Sequence, residues 1–257
     1  MQAERDRERD RTKMDSISLT CPVCDTFFIS WEAKSFGYET RRTDFRPNYE
    51  EPNPMRLYYH LCPCCKLCAD QEYFQLELSG TQKRELAECL RVLYSKYGEG
   101  IETSLPARLY YGAEVGELLQ YLGHIQETPF DRALSFVQPF WWSGPEERAK
   151  YGKLALKKLE EALSKVRPHT EDALHIRYLM GEISRRLGRK REAKKHFEAL
   201  LHLRPLRENE SNRFLFDLAE QQMTNPKDIL PEESLNPFGR GPPSGGREPP
   251  RPPSGSA

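Results

Sequence analysis

The sequence predicts a mainly α fold: a small β module near the N-terminus, followed by a helical region. Two Cys-Pro-x-Cys turns predict the first part. Apolar residues recurring every three or four positions from Leu86 onward predict the second. Residues 225–257 shift to Gly, Pro, Ser and Arg and cannot supply a core.

The turns are Cys21-Pro22-Val23-Cys24 and Cys62-Pro63-Cys64-Cys65, separated by 37 residues. Each places two sulfurs on one side of a tight loop. Two such loops facing each other make a tetrahedral four-thiolate site, so the expected cofactor is Zn²⁺. Closing a loop of this length costs about 3 kcal/mol. Structural zinc contributes roughly 10–16 kcal/mol in small peptides, so the metal can hold a module with few core residues. Cys65 and Cys68 also have two-residue spacing. Cys62 with Cys65 is preferred because it repeats the first turn, which leaves Cys64 and Cys68 as spare thiols. His60 is a further candidate that a strand would point away, and Cys89 lies on an apolar helical face.

Residues 1–17 alternate opposite charges and are expected to be disordered. Met14 is a candidate start, which would make residues 1–13 an artefact of gene calling. The metal module is placed at residues 18–70. Within it, Phe27, Ile29 and Trp31 alternate with Phe28, Ser30 and Glu32 as in a strand. Gly37 offers a turn, Tyr38 to Arg42 a return strand, and Leu57 to Leu61 a third strand that delivers Cys62. That layout is a zinc ribbon.

Residues 71–224 are expected to be helical. Leu86, Cys89, Leu90, Leu93 and Tyr97 mark one stripe, with Ser79 and Gln82 at capping-box spacing. Tyr111, Val115, Leu118 and Leu122 mark the next, ended by Gly123. A short helix runs from Ala133 to Trp142 and stops at Gly144-Pro145. Tyr151, Ala155, Leu159, Ala162 and Val166 line another. Ile176 to Leu187 line the one closed by Gly188. Ala193, Phe197 and Leu200 line its partner, before Pro205, and Asn212 to Met223 form the last. In a 34-residue frame, Gly181, Gly188, Ala193, Phe197 and Pro205 fall where a tetratricopeptide repeat wants them. Arg177 and Ser184 replace the usual aromatics of its first helix. In the tail, Pro249-Pro250-Arg251-Pro252-Pro253 has polyproline II composition.

Charge and composition narrow the function. Lys plus Arg and Asp plus Glu both number 39, so net charge is zero, which lowers the weight of nucleic-acid binding. Mean hydropathy is −0.77 and no apolar run spans a membrane. The absence of a secretory leader and the seven cysteines point to the cytoplasm and to metal rather than disulfides. Four thiolates leave no open coordination position, and no hydrolase or phosphate-loop motif is present, so no enzyme activity is expected. Arg185, Arg186, Arg189, Lys190, Arg191, Lys194 and Lys195 cluster around one helical turn and read chiefly as a solvated face.

The stretch Arg42-Thr43-Asp44-Phe45-Arg46-Pro47-Asn48-Tyr49 lies between the two cysteine turns. In this order and spacing, residues 18–220 resemble a bacterial family, domain of unknown function 2225. The resemblance implies a zinc-ribbon-like region followed by tetratricopeptide-like helices, with Cys21, Cys24, Cys62 and Cys65 as the metal ligands. Members often carry Gly after each turn, where this chain has Asp25 and Lys66. Asp44 and Arg46 would share one face of an extended segment, as a structural pair or a ligand-binding pair, with Phe45 pointing into the module. The expected function is a zinc-binding, non-enzymatic cytoplasmic adaptor that holds a protein partner on its helices. A nucleic-acid-binding zinc-ribbon protein, or a thiol-redox or metal sensor using Cys64 and Cys68, is the alternative.

Overall fold

A computed structural model describes residues 12–49 and 51–230. Strands β1 (Lys13–Thr20) and β2 (Phe27–Ser35) pair antiparallel across the first cysteine turn, with Leu19 opposite Phe28 and Thr20 opposite Phe27. β3 (Tyr38–Arg41) pairs with β4 (Pro47–Tyr49), and β5 (His60–Leu61) with β6 (Cys68–Ala69) across the second turn. Eight helices follow among the described residues: α1 (Gly80–Ser95), α2 (Gly100–Thr103), α3 (Leu105–Tyr121), α4 (Pro129–Trp142), α5 (Pro145–Lys165), α6 (Glu171–Arg186), α7 (Lys190–Leu201) and α8 (Glu210–Thr224). From α3 to α8 each packs on its neighbour in sequence.

The helices begin and end for local reasons. Ser79 and Gln82 make both bonds of a capping box at α1. Ser104, Thr128 and Thr170 cap α3, α4 and α6 through their side-chain oxygens. Gly123 and Gly188 leave α3 and α6 at φ +76° and +74°, a region glycine enters without strain. α6 and α7 form a close hairpin. A Cβ added at Gly181 would stand 2.4 Å from the Phe197 ring, so only glycine lets the two axes approach this far.

The β elements depart from the expected ribbon. The return strand pairs with β4 rather than β2, and β2 pairs instead with residues 13–20, of which 13–17 belong to the segment expected to be disordered. The third strand shrinks to two residues behind a 3-10 turn at Pro54–Leu57, because Pro52 and Pro54 interrupt regular pairing. At the other end, residues 227–230 belong to the fold rather than to the tail: Leu230 is buried and donates its N–H to the Arg41 carbonyl at 2.8 Å. The Pro-rich run at 249–253 lies outside the described residues.

The division at residue 70 is not one of packing. Cys21, Val23, Cys62, Leu67 and Cys68 share a core with Leu86, Leu90, Leu109 and Tyr111 from α1 and α3. A second core, built from α4 to α8, takes in Phe45 from the loop between β3 and β4. Phe45 sits at φ +68° with its ring 5.2 Å from that of Tyr178 on α6. It therefore enters the helical core and not the metal module, since the loop turns tightly where an extended segment was expected. Arg42 accepts the Phe45 N–H at its carbonyl and donates its own N–H to the Arg46 carbonyl.

Beside Phe45 lies a buried ionic seam. Thr43 Oγ1 donates to Glu182 Oε2 at 2.6 Å, and Tyr178 donates its hydroxyl to the Thr43 carbonyl at 2.9 Å. Glu182 is fully buried and accepts from Arg185 Nε at 2.8 Å. Asp44, also fully buried, accepts two bonds from Arg42 at 3.0 and 2.6 Å and lies 3.3 Å from Arg186 Nε. Arg185 reaches Asp228 at 2.8 Å. Removing one partner of such a seam strands the others without water. Glu182→Ala should lower stability by about 3–5 kcal/mol, and Glu182→Gln, which keeps the volume and an acceptor, by less. Urea denaturation of the two variants measures the difference.

Candidate metal centre

The two cysteine turns are built alike. Cys21 donates its N–H to the Thr26 carbonyl at 2.9 Å and accepts from Asp25 N–H at 2.9 Å. Cys62 does the same with Leu67 at 2.8 Å and Lys66 at 3.2 Å. Asp25 and Lys66 hold φ of +56° and +63°, the positions where a glycine would cost least. Each is fixed by an ion pair to a helix: Asp25 with Lys83 at 2.6 Å and Lys66 with Glu102 at 3.0 Å. Tyr111 on α3 also donates its hydroxyl to the Lys66 carbonyl at 2.9 Å. So Lys66 adopts the left-handed turn even though it stands where the family often has Gly, supported by α2 and α3.

These turns bring the sulfurs of Cys21, Cys24, Cys62 and Cys65 within 4.8 Å of one another. Cys21 to Cys65 is 3.4 Å and Cys24 to Cys62 is 3.6 Å. A tetrahedron of sulfurs at about 2.3 Å from a central ion has edges of about 3.8 Å, so the cage has the size of a four-sulfur metal site. Backbone amides point at the sulfurs in matching pattern: Val23 and Cys24 at Cys21, Thr26 at Cys24, Cys64 and Cys65 at Cys62, and Leu67 at Cys65. Such donors favour the thiolate, which is the form that binds metal.

Without a cation the four groups cannot all ionise. The thiols of Cys21 and Cys65 hydrogen-bond to Cys62 and hold its pKa far down, to about 2. Cys21 is pushed up to about 12, first by that same contact with Cys62, and Cys65 is raised by Cys21 and Cys62. One negative charge is stabilised at the expense of the next. A central dication removes that conflict for all four.

The remaining sequence candidates fall outside the cage. Cys68 is fully buried in β6 with its sulfur 3.9 Å from the Arg108 carbonyl, and burial pushes its pKa up to about 12. Cys64 is exposed at the tip of the second turn, and Cys89 is half-buried on α1. His60 is buried with Nδ1 2.8 Å from Ser30 Oγ, and burial lowers its pKa to about 4. Asp44 and Arg46 do not pair with each other. Asp44 is in the ionic seam, while the Arg46 guanidinium lies 4.6 Å over the Trp142 ring and donates to the Trp141 carbonyl at 2.9 Å. Burial and the nearby Arg42 lower the Arg46 pKa to about 10. Both join the β3–β4 loop to the helices. Glu182 and Asp228, which meet Thr43 and through Arg186 meet Asp44, carry no signal in the sequence, since they lie more than 130 residues from the loop.

A family model described as "Uncharacterized protein conserved in bacteria (DUF2225)" matches residues 16–225. No curated protein and no solved structure matches the chain.

Purified protein should hold one metal ion per chain, measured by elemental analysis. Cys21→Ser with Cys62→Ser should lose it. Cys64→Ser and Cys68→Ser should each keep the parent content. Metal loss in Cys68→Ser with retention in Cys62→Ser would move the ligand pair to Cys65 and Cys68.

Proposed function

This chain belongs to the DUF2225 family, and from that footing we propose that it is a zinc-binding, non-enzymatic cytoplasmic adaptor that holds a protein partner. The observation that carries the reading is the closed sulfur cage. Four thiolates suit Zn²⁺ and fill its tetrahedral shell, leaving no position for water or substrate. Zinc here is a structural tie between the two turns. The α6–α7 hairpin, with Gly181 against Phe197 and Gly188 in its turn, is read as a tetratricopeptide-like unit in a stack of consecutive helices.

Two observations weigh against the other readings. Arg185 and Arg186, the first cations of the basic cluster, are engaged by Glu182, Asp44 and Asp228 and are not available to phosphates. Arg189 and Lys194 pair with Glu192 and Glu198 on the surface. Cys68, one of the two thiols a redox sensor would use, is buried with a raised pKa and is a poor nucleophile. Among the described residues no helix is long and apolar enough to cross a membrane.

The test is affinity capture of the full chain from its host, with and without nuclease. A protein that co-purifies regardless of nuclease supports the adaptor. DNA or RNA binding should stay no tighter than roughly 10⁻⁴–10⁻⁶ M at physiological salt. Nanomolar binding that is lost when Arg189, Lys190 and Arg191 become Ala would replace this reading with a nucleic-acid one. Those three positions are used because they lie outside the ionic seam.

A further inference from the structure

Among the described residues, the β1–β2 pair leaves one face bare. Phe27, Ile29 and Trp31 point to the same side of β2 and are 65%, 66% and 54% exposed, and Met14 of β1 is 51% exposed. Across the pair, the residues opposite them are small and polar: Thr20, Ser18 and Ser16. The other side of the strand carries Phe28, packed on Phe74 at 5.7 Å, so the core does not need the bare row. In a strand, residues two apart stand about 7 Å apart, the spacing at which an extended partner presents alternate side chains.

At the Trp31 end this row runs into a cavity of about 400 Å³. It lies between β2, the 3-10 turn at residues 54–57, the second cysteine turn and the start of α3. Trp31, Leu57 and Leu61 give it apolar walls, and among the described residues Arg56, Lys66 and Arg108 line it against one acid, Glu102. The cations are not equivalent. Lys66 is paired with Glu102 at 3.0 Å, and Arg108 donates to the carbonyls of Ile101 and Glu102 at 3.1 and 2.8 Å. Arg56 is exposed and makes no ion pair or side-chain hydrogen bond among the described residues. The site therefore offers one uncommitted guanidinium in a locally cationic pocket, on a chain whose net charge is zero.

We propose that this surface binds an extended peptide segment of the protein partner, with apolar side chains on the Phe27–Ile29–Trp31 row and a carboxylate in the cavity at Arg56. The inference rests on the adaptor reading and names where the partner sits. A single available cation fits one carboxylate, whereas tracking a phosphate backbone takes a row of them. The four bare side chains expose roughly 400–500 Å² of apolar surface, below the about 800 Å² per partner of a stable dimer, so a short segment suits the face better than a second copy.

The probe is a random ten-residue peptide library displayed on phage, selected on the zinc-loaded full chain. Enriched sequences should alternate apolar residues and carry an Asp or Glu beside them. The synthesised peptide should bind at least about tenfold more weakly to Trp31→Ser and to Arg56→Glu, as for loss of an interface anchor, while Arg56→Lys keeps most of the affinity. Both positions are exposed, so zinc content and melting temperature should match the parent. No enrichment over a Trp31→Ser, Arg56→Glu double variant overturns the site. So do tighter binding of a twelve-nucleotide oligo-U, a dimer in sedimentation that Trp31→Ser abolishes, or peptide binding that appears only after residues 231–257 are removed. If the partner captured from the host binds both variants undiminished, the adaptor reading stands and this site falls. If capture yields no partner while the peptide still binds as described, the reading of the whole chain falls and the site remains.

Discussion

Four sulfurs within 4.8 Å of one another carry more negative charge than they can hold as thiolates without a cation. That constraint organises the N-terminal half. The amides of both turns favour thiolate, the crowding opposes it, and a bound dication reconciles the two. Because the ligands come in pairs 37 residues apart, filling the cage also closes the long loop that carries β2, β3 and β4. The short strands around it could not support such a loop alone, since two-stranded pieces are marginal in water.

The cage does not stand apart from the helices. Its two left-handed turn residues are held from α1 and α2, and the Lys66 carbonyl is held from α3. The closed loop is also fastened at its far side. Thr43, Asp44 and Phe45 sink between α6 and residues 227–230, so the β3–β4 loop and the segment after α8 meet on one helix. Burying Asp44 and Glu182 costs several kcal/mol each in desolvation, and a pair repays this only with good geometry and full hydrogen bonding. Here Arg42, Arg185 and the Thr43 hydroxyl supply the hydrogen bonds to the two carboxylates, while Arg186 adds its charge with an Nε that makes no aligned bond among the described residues. Such a seam tolerates one arrangement of its parts better than any other, which fixes how the loop sits on α6.

This fastening changes what the basic cluster is for. Read along the chain, Arg185 to Lys195 is a charged surface. In the fold its first two members are structural counter-ions, and Arg189 and Lys194 make exposed pairs that contribute little. The proposed interaction surface lies elsewhere. A row of exposed apolar side chains, Phe27, Ile29 and Trp31, lies on β2, whereas the β3–β4 loop already covers the α6 face.

By itself the sequence determined the parts governed by local rules. Helical periodicity and caps placed α1 and α3 to α8, because a buried stripe and its end signals lie within a few residues of each other. The repeated Cys-Pro-x-Cys form named the four cysteines that build the cage, because each turn is a local structure. Long-range pairing was decided only by the tertiary structure. That residues 13–20, and not 38–42, partner β2 follows from which strand can complete the hairpin across the first turn. That Phe27, Ile29 and Trp31 face outward could not be read from their alternation, which marks a two-faced strand without saying which face is covered. The joining of Thr43 and Asp44 to Glu182 and Asp228 likewise rests on contacts between residues far apart in sequence, which leave no periodic trace.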